Sequence, residues 1–294
     1  MMPLENLTII GERINPGFAS SKRLLDSSDL KGIQELAVKQ VANGARYLTI
    51  NVGVRAASDP IFIAGVIQAV QDVVDVPLAF DYPNAAVQEV CLKTYDPAKA
   101  RDQKPIVNSI SELRWEMFDV LDIQPARVVL MASERLEAGV AVPNTTAQDV
   151  ALTAHRMCER ILSNGHGLSA DDLIIDVSLC PLATDTEGVV RRAVEAIGLI
   201  GADPVLKGVH QIVGLSNLGI MLPKQALDGG PISVRVESAF LTLTMPKGLD
   251  TILGTPGREY RMLPEDDFVF RGFREALALE GFDALDRVQQ LYRN

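Results

Sequence analysis

Residues 210–217, HQIVGLSN, form a short apolar run that ends in Ser216 and Asn217. Similar runs recur along the chain, and turn or helix signals separate them. A run without alternating apolar and polar residues is typical of a strand that helices cover on both faces of a parallel sheet. The eight runs cover residues 7–15, 47–53, 77–84, 105–111, 127–133, 173–179, 210–217 and 250–256.

Helix signals fill the gaps between these runs. Asp29 is placed to cap a helix that ends near Asn43, where an Asn-Gly pair gives a stop signal. Ser58 or Asp59 precedes Pro60, and proline suits the first turn of a helix that runs to about Asp75. A further helix is predicted from near Thr146 to the Asn-Gly pair at 164–165.

The alternation of strands and helices predicts a (β/α)8 TIM barrel over about residues 7–256. The alternative is a doubly wound open sheet, but neither a G-x-G-x-x-G motif nor a P-loop follows the first run. We expect residues 257–294 to form helices packed outside the barrel, because Phe268, Phe270, Phe273 and Phe282 need burial. The chain, residues 1–294, is thus predicted to be a single domain.

Composition narrows the class of function. The chain has 294 residues, a hydrophobic content of 47% and a net charge of −10. Nucleic acid and anionic membranes attract basic surfaces, so neither is expected as a partner. No run is long enough to span a membrane, and the N-terminus lacks the features of a signal peptide. We therefore expect a cytoplasmic protein.

Cysteine and histidine residues are few and dispersed. Cys91, Cys158 and Cys180 show no disulfide or zinc spacing, and we expect all three to be reduced and buried. His155, His166 and His210 are equally scattered. With no clustered carboxylates either, no metal site is predicted.

Polar residues lie where the runs end. In a TIM barrel the carboxyl ends of the strands converge on one mouth, which holds the active site. Taken singly, such residues are often helix caps or turn residues. The set comprises Glu12, Arg13 and Asn15; Asn51; Asp81 to Asn84; Asn108 and Ser109; Ser133; Asp176; Ser216 and Asn217; and Thr255.

A mouth lined by amides and carboxylates with few cations is suited to a flat, neutral, nitrogen-rich heterocycle. A phosphate site would instead have arginine, lysine or the backbone amides of a glycine-rich loop. An asparagine offers a donor and an acceptor in one plane, as the edge of a pyrimidinone requires. An aspartate accepts hydrogen bonds from ring N–H groups and exocyclic amines.

The motifs GERIN, GARYLTINVG, AFDYPN, IVNSI, IIDVSL and VGLSN, in this order, resemble the pterin-binding family of methyltetrahydrofolate–corrinoid methyltransferases over about residues 7–255. The resemblance implies a methyl transfer between a corrinoid (cobalamin) and N5 of tetrahydrofolate. It maps pterin contacts onto Asp81, Asn84 and Asp176, and it places Asn217 near N5 as the catalytic residue. The other cofactor-binding candidates are Glu12, Asn15, Thr49, Asn51, Asn108 and Ser216.

Two positions depart from the family pattern. Thr49 stands where the family has an aspartate, so a hydroxyl replaces a charged group. The sixth run continues Asp-Val-Ser-Leu-Cys-Pro in place of Asp-Pro, which changes the loop bearing Cys180. These departures leave the orientation of the pterin and the direction of the reaction open, and transfer from the methylcorrinoid to tetrahydrofolate is preferred to the reverse.

The chain has no Asp-x-His-x-x-Gly cobalamin motif, so we expect the corrinoid to come from a partner protein or as free cofactor. The resemblance also implies a homodimer. Three other functions are possible: a dihydropteroate synthase, a non-catalytic pterin-binding protein, and a lyase that uses Glu12 with Lys22 or Lys104. The absence of an Arg-x-His motif near the eighth run disfavours the dihydropteroate synthase.

Overall fold

Eight parallel strands close into a barrel in the computed structural model, which describes residues 4, 6–163 and 167–293. The barrel strands are β1 Thr8–Gly11, β2 Tyr47–Ile50, β3 Leu78–Asp81, β4 Ile106–Ile110, β5 Arg127–Met131, β8 Leu173–Asp176, β9 His210–Gly214 and β10 Thr251–Gly254, and a separate hairpin consists of β6 Glu134–Glu137 and β7 Val140–Pro143. Each barrel strand lies within one of the eight apolar runs. The order around the barrel is β1-β10-β9-β8-β5-β4-β3-β2, which confirms the predicted TIM barrel and excludes the open sheet.

Helices surround the barrel. They are α1 Ala19–Asp26, α2 Leu30–Ala42, α3 Arg55–Ser58, α4 Pro60–Gln71, α5 Ala85–Thr94, α6 Ala147–Ser163, α7 Val189–Ala202, α8 Ile232–Thr244, α9 Phe268–Leu277 and α10 Gly281–Gln289. Asp29 and Asp59 cap α2 and α4 as predicted, since their carboxylates accept hydrogen bonds from the backbone N–H groups of Gly32 and Phe62. The predicted Asn-Gly stop of α6 lies outside the described residues.

Two connections differ from a plain βα repeat. A 3₁₀ helix, Trp115–Asp122, follows β4 at the place where a plain βα repeat has an α-helix. The antiparallel hairpin of β6 and β7 precedes α6. Its turn contains Ala138 and Gly139, both with positive φ. The hairpin is therefore an additional element after β5 that the eight predicted strands did not include.

The C-terminal helices α9 and α10 pack against each other, and α9 packs on α8, as expected for helices outside the barrel. Phe270 and Phe273 are buried and Phe268 is partly buried. The expectation for Phe282 was wrong, because this side chain is 83% exposed. It lies in the first turn of α10, whereas the buried contacts of this segment come later, from Val288 and Leu291.

A closed apolar layer fills the barrel below its mouth. Every barrel strand contributes one inward-facing residue to it, namely Ile10, Tyr47, Ala79, Ile106, Val129, Ile174, Ile212 and Leu253. Side chains alternate along a strand, so the residue two positions later also faces inward, but closer to the carboxyl ends. On β1, β3, β4 and β8 these residues are Glu12, Asp81, Asn108 and Asp176. The strand pattern itself therefore places polar side chains on top of an apolar floor.

Candidate active site

Two adjoining cavities occupy the mouth of the barrel. The first, about 330 Å³, is lined by Asp81, Asn108 and Asp176, and we call it the aspartate lobe. The second, about 620 Å³, is lined by Glu12, Ser216, Glu237, Thr255 and Arg258, and we call it the glutamate lobe. Asn217 lines both cavities, together with Asp81, Gly214 and Leu253. A ligand in either lobe would therefore contact the same asparagine.

Amide groups hold Asp81 in the aspartate lobe. The Asn51 amide donates to Oδ2 of Asp81 at 3.0 Å, and the Asn108 amide lies 3.3 Å from Oδ1. No cation is bonded to this carboxylate among the described residues. Burial raises the pKa of Asp81, and the hydrogen bond from Asn51 opposes this rise. Asp81 thus keeps acceptor capacity for a neutral ligand that carries N–H groups.

Asp176 is the second carboxylate of the lobe. Its Oδ1 accepts a hydrogen bond of 2.7 Å from the backbone N–H of Ser178. Ser178 has a φ of 62°, and this turn brings its N–H back toward the aspartate. Burial raises the pKa of Asp176 to about 6, and the charge of Asp81 adds to the rise. The two aspartates therefore repel each other, and a ligand that donates hydrogen bonds to both would relieve this repulsion.

The Glu12 carboxylate in the glutamate lobe accepts hydrogen bonds from two protein hydroxyl groups. The Ser216 hydroxyl donates to one carboxylate oxygen at 2.7 Å, and the Thr255 hydroxyl donates to the other at 2.6 Å. Glu12 is 5% exposed. The carboxylate thus links the ends of β1, β9 and β10, and Ser216 contributes to this link next to Asn217.

Asn217 lies in a 3₁₀ turn, Leu215–Gly219, directly after β9. A Cβ atom at Gly214 would lie 3.0 Å from the amide nitrogen of Asn217, so glycine at 214 allows the side chain to fold close to the strand end. Its side-chain amide makes no hydrogen bond to any described residue. The amide is therefore open to a ligand at the junction of the lobes.

Three predicted site residues lie apart from the lobe linings. Asn84 is exposed, and its side chain caps α5 by accepting a hydrogen bond from the Val87 N–H at 3.0 Å. Thr49 is buried inside the barrel, with no hydrogen-bond partner for its hydroxyl. Asn51 stands behind Asp81 and orients it. Asn15 lines the glutamate lobe, where its side-chain oxygen accepts a hydrogen bond from the Gly17 N–H.

The strand register explains the position of Thr49. In the pairing of β2 with β3, Thr49 is level with Ala79, which belongs to the apolar floor. Asp81 comes two residues after Ala79, so Asn51 is level with Asp81 and bonds to it. The hydroxyl that replaces the family's aspartate therefore lies one layer below the mouth.

Sequence reasoning missed three charged residues of the mouth. Arg114 lines the aspartate lobe and lies 3.6 Å from Glu134 of the hairpin. Glu237 and Arg258 line the glutamate lobe and are bonded to each other. Glu237 gave no signal because it lies on a helix, α8, rather than at a strand end. Arg258 follows the eighth run by a few residues, so inspection of that loop would have found it.

The arrangement is suited to bind a polar, uncharged ring. Two carboxylates accept hydrogen bonds, and the amides of Asn108 and Asn217 each offer a donor and an acceptor. The described residues contain no group of His, Cys, Asp and Glu side chains that could hold a metal ion. None of the helices among these residues combines the length and the apolar character that a membrane span requires.

Comparisons with known proteins found similar sequences and similar folds. A family model described as pterin binding enzyme matches residues 12–253. The chain is 26% identical over 258 residues to the methylcorrinoid:tetrahydrofolate methyltransferase of Eubacterium limosum, covering 85% of each protein.

Solved structures of dihydropteroate synthases share the fold. The Thermus thermophilus enzyme in complex with 6HMPPP superposes with a TM-score of 0.56 at 20% identity, over 94% of this chain and 93% of that one. The Yersinia pestis enzyme with a pterine-sulfa conjugate gives a TM-score of 0.58 at 15% identity, over 88% and 90% of the two chains. At such identities the likeness concerns the fold alone.

Proposed function

Because the chain belongs to the pterin binding enzyme family, we propose that it transfers a methyl group between a corrinoid and N5 of tetrahydrofolate, preferentially from the methylcorrinoid. The observation that carries this proposal is the free amide of Asn217 at the junction of the two lobes. The resemblance in the methyltransferase motifs and the similarity to the Eubacterium limosum methyltransferase support it.

In this proposal the pterin ring occupies the aspartate lobe. Asp81 and Asp176 accept hydrogen bonds from the ring N–H and the exocyclic amine, and Asn108 pairs with the same polar edge. The apolar side chains of Met131, Ile212 and Leu253 line the same cavity and contact the ring faces. The raised pKa of Asp176 fits a carboxylate that gains its missing donors from the substrate.

Asn217 acts on N5. For transfer to tetrahydrofolate, the electron pair of N5 attacks the methyl carbon, the carbon–cobalt electron pair remains with cobalt as Co(I), and N5 loses its proton to solvent. The amide oxygen of Asn217 accepts a hydrogen bond from the N5 proton and directs the lone pair toward the methyl group. In the reverse direction the amide N–H supports N5 as leaving group.

The glutamate lobe opens beside Asn217 and gives room for the second substrate. We propose that a corrinoid protein, or free cobalamin, approaches from this side, and that the chain acts as a homodimer, as the resemblance implies. The exposed apolar residues Ile220 and Met221 follow the Asn217 turn. They fit contact with a large, largely apolar macrocycle or with its carrier.

A dihydropteroate synthase is the rival that the fold suggests. This reaction releases diphosphate, which calls for free cations at the mouth. Two of the three arginines that line the lobes have a carboxylate partner, because Arg114 lies 3.6 Å from Glu134 and Arg258 is bonded to Glu237. Only Arg13, which contacts the Ser20 hydroxyl and the Phe18 ring, has no carboxylate partner among the described residues. The methyltransferase therefore agrees better with the charges of the site.

The test is an anaerobic assay with the purified protein. Methylcobalamin is mixed with tetrahydrofolate, and Co(I) cobalamin with methyltetrahydrofolate, while the cobalt absorbance is followed. We expect conversion in at least one mixture, faster in the first. Asn217→Ala is expected to slow it about 100-fold, the effect of losing one well-placed transition-state hydrogen bond.

The matched control is Asn43→Ala, because the Asn43 amide is exposed, donates to the Lys39 carbonyl and lines neither lobe. This variant should retain full activity. Absence of conversion in both mixtures, and also with a corrinoid protein as methyl carrier, would reject the methyltransferase. If tetrahydrofolate still bound, the non-catalytic pterin-binding protein would replace it. Condensation of a pterin diphosphate with 4-aminobenzoate would instead establish the synthase.

A further inference from the structure

A buried carboxylate on α8 lies against the Asn217 turn. Glu237 has no exposed surface, and α8 packs along Leu215–Gly219. One oxygen of Glu237 accepts a hydrogen bond from Arg258, whereas Oε2 is buried and has no partner among the described residues. A buried charge costs free energy even when paired, and an apolar side chain would fill the same place without this cost. Packing alone therefore does not account for Glu237.

The carboxylate and the backbone of the turn are in close contact. A Cβ atom at Gly219 would lie 3.2 Å from Oε1 of Glu237 and 2.9 Å from the Cβ of Ser233. Glycine at this position thus lets α8 approach the turn closely. Glu12 accepts a hydrogen bond from Ser216 of the same turn. The segment that carries Asn217 is consequently close to two buried glutamates.

Arg258 connects this contact to a third element. It comes from the loop after β10, and its guanidinium reaches Glu237 across the glutamate lobe. Burial raises the pKa of Glu237 to about 7, and the positive charge of Arg258 opposes this rise. The pair therefore joins α8 to the β10 loop, and the turn bearing Asn217 lies beside it.

We propose that Glu237, with Arg258 as its partner, is a positioning residue that fixes the Asn217 turn for methyl transfer. This inference rests on the proposed function. A displacement of about 1 Å at a reacting group slows catalysis by about 100-fold, so a small shift of the turn is enough to matter. Binding of the pterin depends on the aspartate lobe, which Glu237 does not line.

The experiment compares wild-type protein with Glu237→Gln and with the double variant Glu237→Gln, Arg258→Gln. The single variant keeps the shape of the side chain but leaves Arg258 without its anion. The double variant restores a neutral, hydrogen-bonding pair. Glu265→Gln is the control, because Glu265 is an exposed partner of Arg274 and lines neither lobe. For each protein, kcat, the Kd of tetrahydrofolate and hydrogen exchange over residues 215–221 are measured.

We expect kcat of Glu237→Gln to fall 10- to 100-fold, with a Kd of tetrahydrofolate within about 2-fold of wild type. Exchange over residues 215–221 should accelerate, and the double variant should recover at least part of kcat and of the protection. A wild-type kcat in the single variant would overturn the proposal. Loss of kcat together with pterin binding would also overturn it, by showing a merely structural role.

The two proposals fail in different ways. If wild-type protein transfers no methyl group, the proposed function is rejected. The exchange measurement then still decides whether Glu237 holds the turn, since unchanged exchange in Glu237→Gln would contradict that contact directly.

Discussion

Charged side chains at the two ends of the barrel differ in their hydrogen-bond and ion-pair partners. At the amino end of the strands, His210 lies between Asp250, at 2.6 Å, and Asp171, at 3.0 Å. Arg127 pairs with the same Asp171 at 2.9 Å. At the carboxyl end, Asp81 and Asp176 share one cavity and accept hydrogen bonds only from amide and backbone N–H groups of the described residues.

The pKa shifts follow this contrast. Hydrogen bonding to His210 lowers the pKa of Asp171, and Asp250 raises the pKa of His210, so ionisation is favoured at the amino end. Burial raises the pKa of Asp176 to about 6, so ionisation is disfavoured at the mouth. The amino end is thus satisfied within the protein, whereas the mouth retains unused acceptors. Such a local cost in stability is typical of a binding site.

The strongest test of this contrast is the same substitution at both ends. Asp176→Asn removes a charged acceptor from the aspartate lobe, and we expect tetrahydrofolate affinity to fall about 100-fold, because hydrogen bonds to charged groups contribute about 1.5–3 kcal/mol each. Asp171→Asn at the amino end should leave the affinity unchanged. Isothermal titration calorimetry at about pH 7.5, above the raised pKa of Asp176, measures both. Equal losses would show that the mouth has no special role in binding.

Asp176→Asn should at the same time stabilise the protein without ligand. A pKa raised from 3.8 to about 6 means that the native state binds the proton more tightly than the unfolded state. Stability due to this group is therefore lost as pH rises from about 4 to about 6. Above about pH 6 the asparagine avoids this loss, and we expect a gain of about 2 kcal/mol.

Urea unfolding between about pH 4 and pH 8 measures this gain. The difference between Asp176→Asn and wild type should be close to zero near pH 4 and largest above about pH 6. A variant that is less stable than wild type at about pH 7 would contradict the idea that burial of the Asp176 carboxylate, without a cationic partner among the described residues, destabilises the protein.

At the amino end we expect substitution of a charged residue to destabilise the protein. The pKa of His210 is raised above 6.5, so the stability it contributes is fully present below pH 6.5 and is lost as pH rises through its native-state pKa. His210→Gln should therefore destabilise the protein by roughly 1 kcal/mol at about pH 6 and by less at about pH 8.5. Tetrahydrofolate affinity should stay unchanged, and an affinity loss would break the separation between the ends.

The apolar runs predicted the barrel because each strand is buried on both faces and leaves a continuous signal in the sequence. Most mouth residues followed from this, since Asp81, Asp176 and Asn217 lie at or just beyond the ends of their strands, and Asn108 lies two residues before the end of β4. The glutamate lobe was only partly predictable. Glu237 belongs to a helix, and its contact with Arg258 depends on how α8 packs, which no local pattern encodes.

The hairpin β6–β7 was missed for another reason. Its strands have four residues each, and they follow β5 without a helix. Gly139 is a turn signal in the sequence, but the count of eight barrel strands did not use it. The register of β2 was not predictable either, so Thr49 was expected at the mouth, whereas strand pairing places it level with the apolar floor.

The smallest effect is expected at Thr49, because this residue lies between the two ends of the barrel. Its hydroxyl is buried without a partner among the described residues, and it lines neither lobe. Thr49→Val replaces it with a methyl group of similar shape, which removes the desolvation penalty of the unpaired hydroxyl. We expect a gain of about 0.5–1 kcal/mol in urea unfolding and no change in tetrahydrofolate affinity. An affinity loss of about 5-fold or more, roughly 1 kcal/mol, would instead mean that the hydroxyl reaches the bound pterin, as the family pattern predicts. The binding site would then extend one layer deeper into the barrel than the aspartate lobe.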